Sequence, residues 1–138
     1  MAHTVSDYMT AHPTVVEVTD TLRSVAETMA SQDVGALVVA ENGAVTGIIT
    51  DRDLVVRGLA TGVGLDAPVG QLTTGALVTV GPDDGVAEVV QLMRDNAVRR
   101  VPVVEGDVAV GIVSIGDLAV ALDSDSALAD ISAAPPND

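Results

Sequence analysis

One block of the sequence occurs twice. Gly47-Ile48-Ile49-Thr50-Asp51-Arg52-Asp53-Leu54 returns 64 residues later as Gly111-Ile112-Val113-Ser114-Ile115-Gly116-Asp117-Leu118. The register holds upstream without a gap: Val16 falls on Val80, Asp20 on Asp84, Val25 on Val89, Met29 on Met93, Val34 on Val98, Val39 on Val103 and Glu41 on Glu105. A repeat of this length means one supersecondary unit used twice, so each assignment made in one copy constrains the other.

Each copy reads as strand, helix, strand, strand, helix. Val15–Val18 predicts a short strand, and Leu22, Val25, Ala26, Met29 and Ala30 then recur at helical spacing behind Asp20, taken as the cap. The second copy has Val86, Val89, Val90 and Met93 behind Pro82-Asp83-Asp84, a start signal of the same kind. Two apolar runs follow in each copy, 36–40 with 45–49 and 101–104 with 108–113. They are joined by Glu41-Asn42-Gly43 and Glu105-Gly106-Asp107, which is hairpin-turn chemistry. Further helices are expected near Asp51 and Ile115. The expected fold is therefore α/β (α+β): two tandem β-α-β-β-α units over 1–64 and 65–122, related by a pseudo-twofold axis. The glycine-rich stretch Gly58–Pro68 reads as the linker, and the acidic, Ala/Pro-rich tail 123–138 is expected to be disordered.

The composition removes several function classes. Without Trp or Phe, and with Tyr8 the sole aromatic of its kind, the core is aliphatic and offers no stacking platform for bases. Twenty acidic residues against six basic ones give a net charge of −14, which repels a phosphate backbone, so nucleic acid is not an expected partner. With no cysteine, disulfides, thiolate catalysis and cysteine-bound metal are excluded, and the two histidines, His3 and His12, read as solvated side chains rather than metal ligands. No metal site is expected. The start lacks a basic region followed by an apolar run, and no stretch reaches the roughly 18 apolar residues of a membrane span. The expected location is the cytoplasm, with no membrane partner.

The site-bearing motif is Thr50-x-x-Asp53 and its echo Ser114-x-x-Asp117, each directly after a strand ending in Gly-Ile-(Ile/Val). One reading is a capping box, in which the hydroxyl accepts an N–H bond three residues on and the carboxylate reaches back to the cap. The other is a ligand site: the hydroxyl joins a phosphate shell at a helix start, and the carboxylate one turn in receives both hydroxyls of a ribose. Residues alone leave both open. Other signals fail. Gly58, Gly62 and Gly64 lack the strand–glycine–helix context of a dinucleotide fingerprint, and there is no Lys to complete a P-loop. Neighbouring acids, Asp51 with Asp53 and Asp83 with Asp84, are explained by the helix dipole, and no nucleophile has a candidate base.

Taken in order, the two motifs, the paired segments Val5–Thr10 and Val69–Thr74, and Val98-Arg99-Arg100-Val101-Pro102-Val103 resemble a tandem pair of CBS domains. This regulatory module is named after cystathionine β-synthase and is often called a Bateman module. The resemblance covers about residues 4–122. It implies clefts between the copies that take adenosine-containing ligands: AMP, ADP, ATP or S-adenosylmethionine. It implies ribose contacts by Asp53 and Asp117, phosphate contacts by Thr50 and Ser114, and an adenine lining from Ile48 and Ile112. The segments Thr10–Val16 and Thr74–Val80 are implied to close the opposite copy's cleft. Arg99 resembles a phosphate-binding arginine, and its counterpart is Gly35, so the Asp117 cleft is the favoured site while the Asp53 cleft relies on Arg52, Arg57 or the helix terminus.

The expected function is a non-catalytic sensor that binds such a ligand and relays occupancy to a partner, with no required cofactor. The competing reading is a ligand-free scaffold that acts through dimerisation or another protein contact. The resemblance also implies a homodimer, held by Val-rich helix faces.

Overall fold

The computed structural model describes residues 3–73 and 77–122. The elements run β1 (Thr10–Ala11), β2 (Val15–Glu17), α1 (Leu22–Gln32), β3 (Ala36–Glu41), β4 (Ala44–Thr50) and α2 (Asp51–Asp53). The helix widens after α2 over Leu54–Leu59, where Ala60 N–H bonds Val55 O and Val63 N–H bonds Gly58 O, five residues back in each case. The second copy supplies α3 (Val86–Asp95), β5 (Arg100–Glu105), β6 (Val108–Ser114) and a helix, α4, over 115–122.

The strands form two sheets in the orders β2-β3-β4 and β1-β6-β5. The repeat is visible residue by residue in their registers. Ala36 opposes Thr50 and Arg100 opposes Ser114; both hairpins bulge at equivalent steps, Val39/Ala40 and Val103/Val104. Val16 pairs in parallel with Val39, and Val80 with Val103, although the second copy's first strand is reduced to that single bridge. The first hairpin turns through Asn42 and Gly43, both at positive φ, the conformation its Asn-Gly predicted.

The helices form where apolar periodicity demands. Leu22, Val25 and Met29 line the buried stripe of α1, and Val86, Val89, Val90 and Met93 that of α3. Their starts differ from expectation. Thr21, not Asp20, caps α1 by accepting the Ser24 N–H at 3.1 Å. Asp20 instead accepts the Glu17 N–H at 2.9 Å, and Asp84 takes the Gly81 N–H at 2.8 Å in the same way. These carboxylates close the turn before each helix, because an Asp side chain three residues after a free N–H satisfies it locally. Both helices end alike: Val34 N–H bonds Met29 O and Val98 N–H bonds Met93 O, around Asp33 and Ala97 in the left-handed conformation.

The segment preceding each unit is exchanged. Val5 N–H bonds Asp84 O at 2.9 Å, and its counterpart Val69 N–H bonds Asp20 O at 2.8 Å. Ser6 N–H bonds Pro82 O, and Gly70 N–H bonds Val18 O; Thr4 bridges Gly85, and Pro68 bridges Thr21. Each of these contacts from the first copy to the second has a partner running the other way, which is the signature of a two-fold relation. The side chains follow. Val5, fully buried, completes the second core with Val86, Val89, Met93, Val101 and Leu118, while Val69 and Leu72 complete the first with Leu22, Val25, Leu37 and Ile49. Each such valine contributes about 1.5–3 kcal/mol of apolar burial to a unit that is not its own. Strand β1 extends this exchange, pairing antiparallel with β6 through Thr10–Ile112 and Ala11–Gly111.

Candidate functional site

The capping boxes are formed in both copies. Thr50 Oγ1 accepts the Asp53 N–H at 3.1 Å, and the Thr50 N–H donates to Asp53 Oδ2 at 2.9 Å. Ser114 Oγ accepts the Asp117 N–H at 3.1 Å, and the Ser114 N–H donates to Asp117 Oδ2 at 3.2 Å. Each carboxylate thus has one oxygen committed to its helix, and what happens at the other oxygen separates the copies. Asp53 Oδ1 lies 3.6 Å from Arg57 Nε, one helical turn on. The position equivalent to Arg57 is Ala121, buried in the core, and among the described residues no ion pair engages Asp117.

Two adjoining depressions meet at Ser114. One, about 270 Å³, is lined by Thr10, Val34, Gly35, Ala36, Arg100, Ile112, Ser114 and Asp117. The other, about 390 Å³, is lined by Arg52, Arg99, Arg100, Ser114, Ile115 and Gly116. Local structure explains these placements. Arg100 opens β5 directly opposite Ser114, and opposed residues of an antiparallel pair share a face. Thr10 reaches the site because β1 pairs with β6 at Ile112. Arg99 O accepts the Ile115 N–H at 2.8 Å, which ties the start of α4 to the strand that carries the arginines.

The first copy's counterpart is different. Gly35 O accepts the Asp51 N–H at 3.0 Å, the equivalent backbone bond, but Gly35 and Ala36 replace the two arginines. A Cβ added at Gly35 would stand 3.2 Å from Asp51 Oδ2, so the carboxylate closes on the space the arginine's equivalent would occupy. Ile48 lines a smaller depression of about 140 Å³ with Thr46, Gly47, Leu77, Val78 and Pro102.

The structure therefore brings Thr10, Ile112, Ser114 and Asp117 together in one depression, with Arg99 in the adjoining one. Thr50 and Asp53 form a cap closed by Arg57, and Ile48 lies apart from Arg99. Val16 and Val80 are core residues, 7% and 4% exposed. They occupy the inward-facing position where the first strand of each copy lies against β3 or β5, so their side chains serve packing and line none of these depressions. Thr74 lies outside the described residues. Arg52, linked by sequence to the Asp53 side, lines the Ser114 cleft instead. Arg100, part of the motif beside Arg99 but given no site role from sequence, borders all three depressions; its place opposite Ser114 in the hairpin register was the signal available.

Among the described residues no group of three or more His, Asp or Glu side chains is arranged to hold a metal ion, and no helix is long and apolar enough to cross a membrane.

Known proteins resemble this chain in sequence and fold. The chain is 37% identical over 116 residues to the CBS domain-containing protein YhcV of Bacillus subtilis, covering 84% of this chain and 83% of that one. It is 36% identical over 118 residues to Hypoxic response protein 1 of Mycobacterium tuberculosis, covering 84% and 82%. A crystal structure of Hypoxic Response Protein I with two coordinated zinc ions superposes with a TM-score of 0.75 at 35% identity, over 86% of this chain and 98% of that one. The CBS domain pair of protein MJ0100, in complex with 5′-methylthioadenosine and S-adenosyl-L-methionine, shares the fold with a TM-score of 0.78 at 22% identity, over 91% and 99%. Residues 5–59 and 69–124 each match the CBS domain family. With the repeat, the exchanged segments and the paired capping boxes, these matches establish that the chain belongs to the CBS domain family, as a tandem pair.

Proposed function

We propose that this CBS pair is a non-catalytic regulatory module that binds one adenosine-containing ligand per chain, in the cleft at Ser114 and Asp117, and relays its occupancy to a partner. The observation that carries the reading is the convergence of Arg52, Arg99 and Arg100 beside Ser114, with Asp117, Thr10 and Ile112 next to them. Half of the six basic residues of an acidic chain gather at one cleft, and a concentration of guanidinium groups suits a phosphate. Asp117 has a carboxylate oxygen available to ribose hydroxyls, and Ile112 supplies apolar surface for a base. The Asp53 side has no such set, since Arg57 already engages its carboxylate.

The module acts as a homodimer in this reading. Val55, Val56 and Leu59 after α2 are 55%, 46% and 57% exposed, and Val120 on α4, the counterpart of Val56, is 61% exposed. Exposed apolar side chains on both helices favour burial against a second copy.

Isothermal titration calorimetry with AMP, ADP, ATP and S-adenosylmethionine tests the ligand reading. The expected result is saturable binding of at least one of them at one site per chain, accompanied by a rise in melting temperature. Absence of heat and of any thermal shift with all four at millimolar concentration overturns it.

A further inference from the structure

Arg52 belongs to the first copy, on the opening turn of α2, yet it lines the cleft built by Arg99, Arg100, Ser114, Ile115 and Gly116 of the second. The arrangement is not mirrored, because the counterpart of Arg52 in the repeat is Gly116. Among the described residues the ion pairs are His3 with Asp7 and Arg57 with Asp53, and Arg52, Arg99 and Arg100 are in neither. In a chain with 20 carboxylates, three arginines outside these ion pairs line one cleft, where an anion can meet them.

The two depressions divide the labour. The one containing Asp117, Ile112 and Thr10 suits a nucleoside, and the one containing Arg52 and Arg99 continues past Ser114 with three arginines beside Ile115 and Gly116. Arg99 and Arg100 begin β5 beside Ser114 and suffice for the charge of one phosphate. Arg52 approaches from the other copy and has a partner only if the phosphate chain goes on. A sulfonium cation at the same place meets like charge. Resting on the reading in the preceding section, we propose that the cleft selects adenine nucleotides carrying two or three phosphates over AMP and S-adenosylmethionine, and that Arg52 is the specificity-determining residue, engaging the terminal phosphates across the boundary between copies.

Calorimetry at fixed ionic strength, with ATP, AMP and inorganic triphosphate as probes, tests this on the wild type, Arg52→Ala and Arg99→Ala. One added charge-assisted contact predicts ATP binding about tenfold or more tighter than AMP in the wild type. Arg52→Ala narrows that ratio to about twofold, whereas Arg99→Ala weakens both nucleotides and leaves the ratio within about threefold of wild type, as expected for the loss of a contact both make. Arg52 is exposed, so the variant keeps its fold, checked by circular dichroism. AMP binding as tightly as ATP, or a ratio untouched by Arg52→Ala, overturns the selectivity while the adenylate reading stands. Triphosphate binding that depends on Arg52, without binding of either nucleotide, overturns the adenylate reading and keeps the cleft as a polyphosphate site. No binding of any probe overturns the selectivity, and the adenylate reading falls with it when ADP and S-adenosylmethionine also fail to bind.

Discussion

Substitutions at Asp117 and Asp53 separate the capping role of each carboxylate from a ligand role. Asp117→Ala removes the acceptor of the Ser114 N–H, a bond of 3.2 Å, but leaves the backbone N–H that donates to Ser114 Oγ. Losing that half of a capping box costs about 1 kcal/mol, a fall of about 3–5 °C in Tm for a chain of this size. Asp53→Ala costs the same from its cap plus at most about 0.5 kcal/mol for the Arg57 pair, which is solvent-screened and long at 3.6 Å. On stability alone the two variants are near twins. On binding they diverge. Loss of a carboxylate that receives ribose hydroxyls costs about 1.5–3 kcal/mol, a weakening of roughly 10- to 150-fold, and this falls on Asp117→Ala alone. Asp117→Asn keeps an oxygen for the Ser114 N–H, so its stability is expected within about 0.5 kcal/mol of wild type while nucleotide affinity drops about tenfold. Urea denaturation with calorimetric titration of ATP supplies both numbers. Equal losses of affinity in Asp53→Ala and Asp117→Ala refute the one-cleft reasoning, and full affinity in Asp117→Asn refutes the ribose contact.

Three further outcomes are expected. Ala97 holds a left-handed φ of 54° at the end of α3, so Ala97→Gly is expected to stabilise the protein by about 0.5–1 kcal/mol in urea melts. Gly47 and Gly111 are equivalent in the repeat, but a Cβ at Gly111 collides with the Met9 side chain and comes within 3.0 Å of Thr10 O, while one at Gly47 meets nothing within 4 Å. Gly111→Ala is therefore expected to cost about 1–3 kcal/mol and Gly47→Ala less than about 0.5 kcal/mol, by the same melts. Light scattering is expected to give twice the 13.9 kDa chain mass, and the double variant Val55→Asp with Val56→Asp to give the monomer mass, since two buried charges oppose the interface.

Much of this protein is legible in its sequence because much of it is local chemistry. The 64-residue repeat led to two identical hairpin registers and two bulges at matched steps, since strand pairing follows from turn residues and alternating apolar positions. Thr50-x-x-Asp53 and Ser114-x-x-Asp117 became capping boxes because a hydroxyl and a carboxylate three residues apart at a helix start find each other without help from the rest of the fold. Asp20 misled as a cap because two local bonds were open to it, and the turn to Glu17 won.

What tertiary structure decided is which copy each side chain serves. Val5 and Val69 look like ordinary apolar residues ahead of a unit, and only packing sends each into the other unit's core. Arg52 lies one position from Asp53 in the chain, yet it joins Arg99 and Arg100 of the second copy, because the two units face each other across their strand ends. Periodicity in a sequence reports what neighbours along the chain do to one another. The meeting of residues 47 and more positions apart, which gathers Arg52, Arg99 and Arg100 at one cleft while Gly35 and Ala36 stand at the matching place in its twin, depends on how two finished units dock.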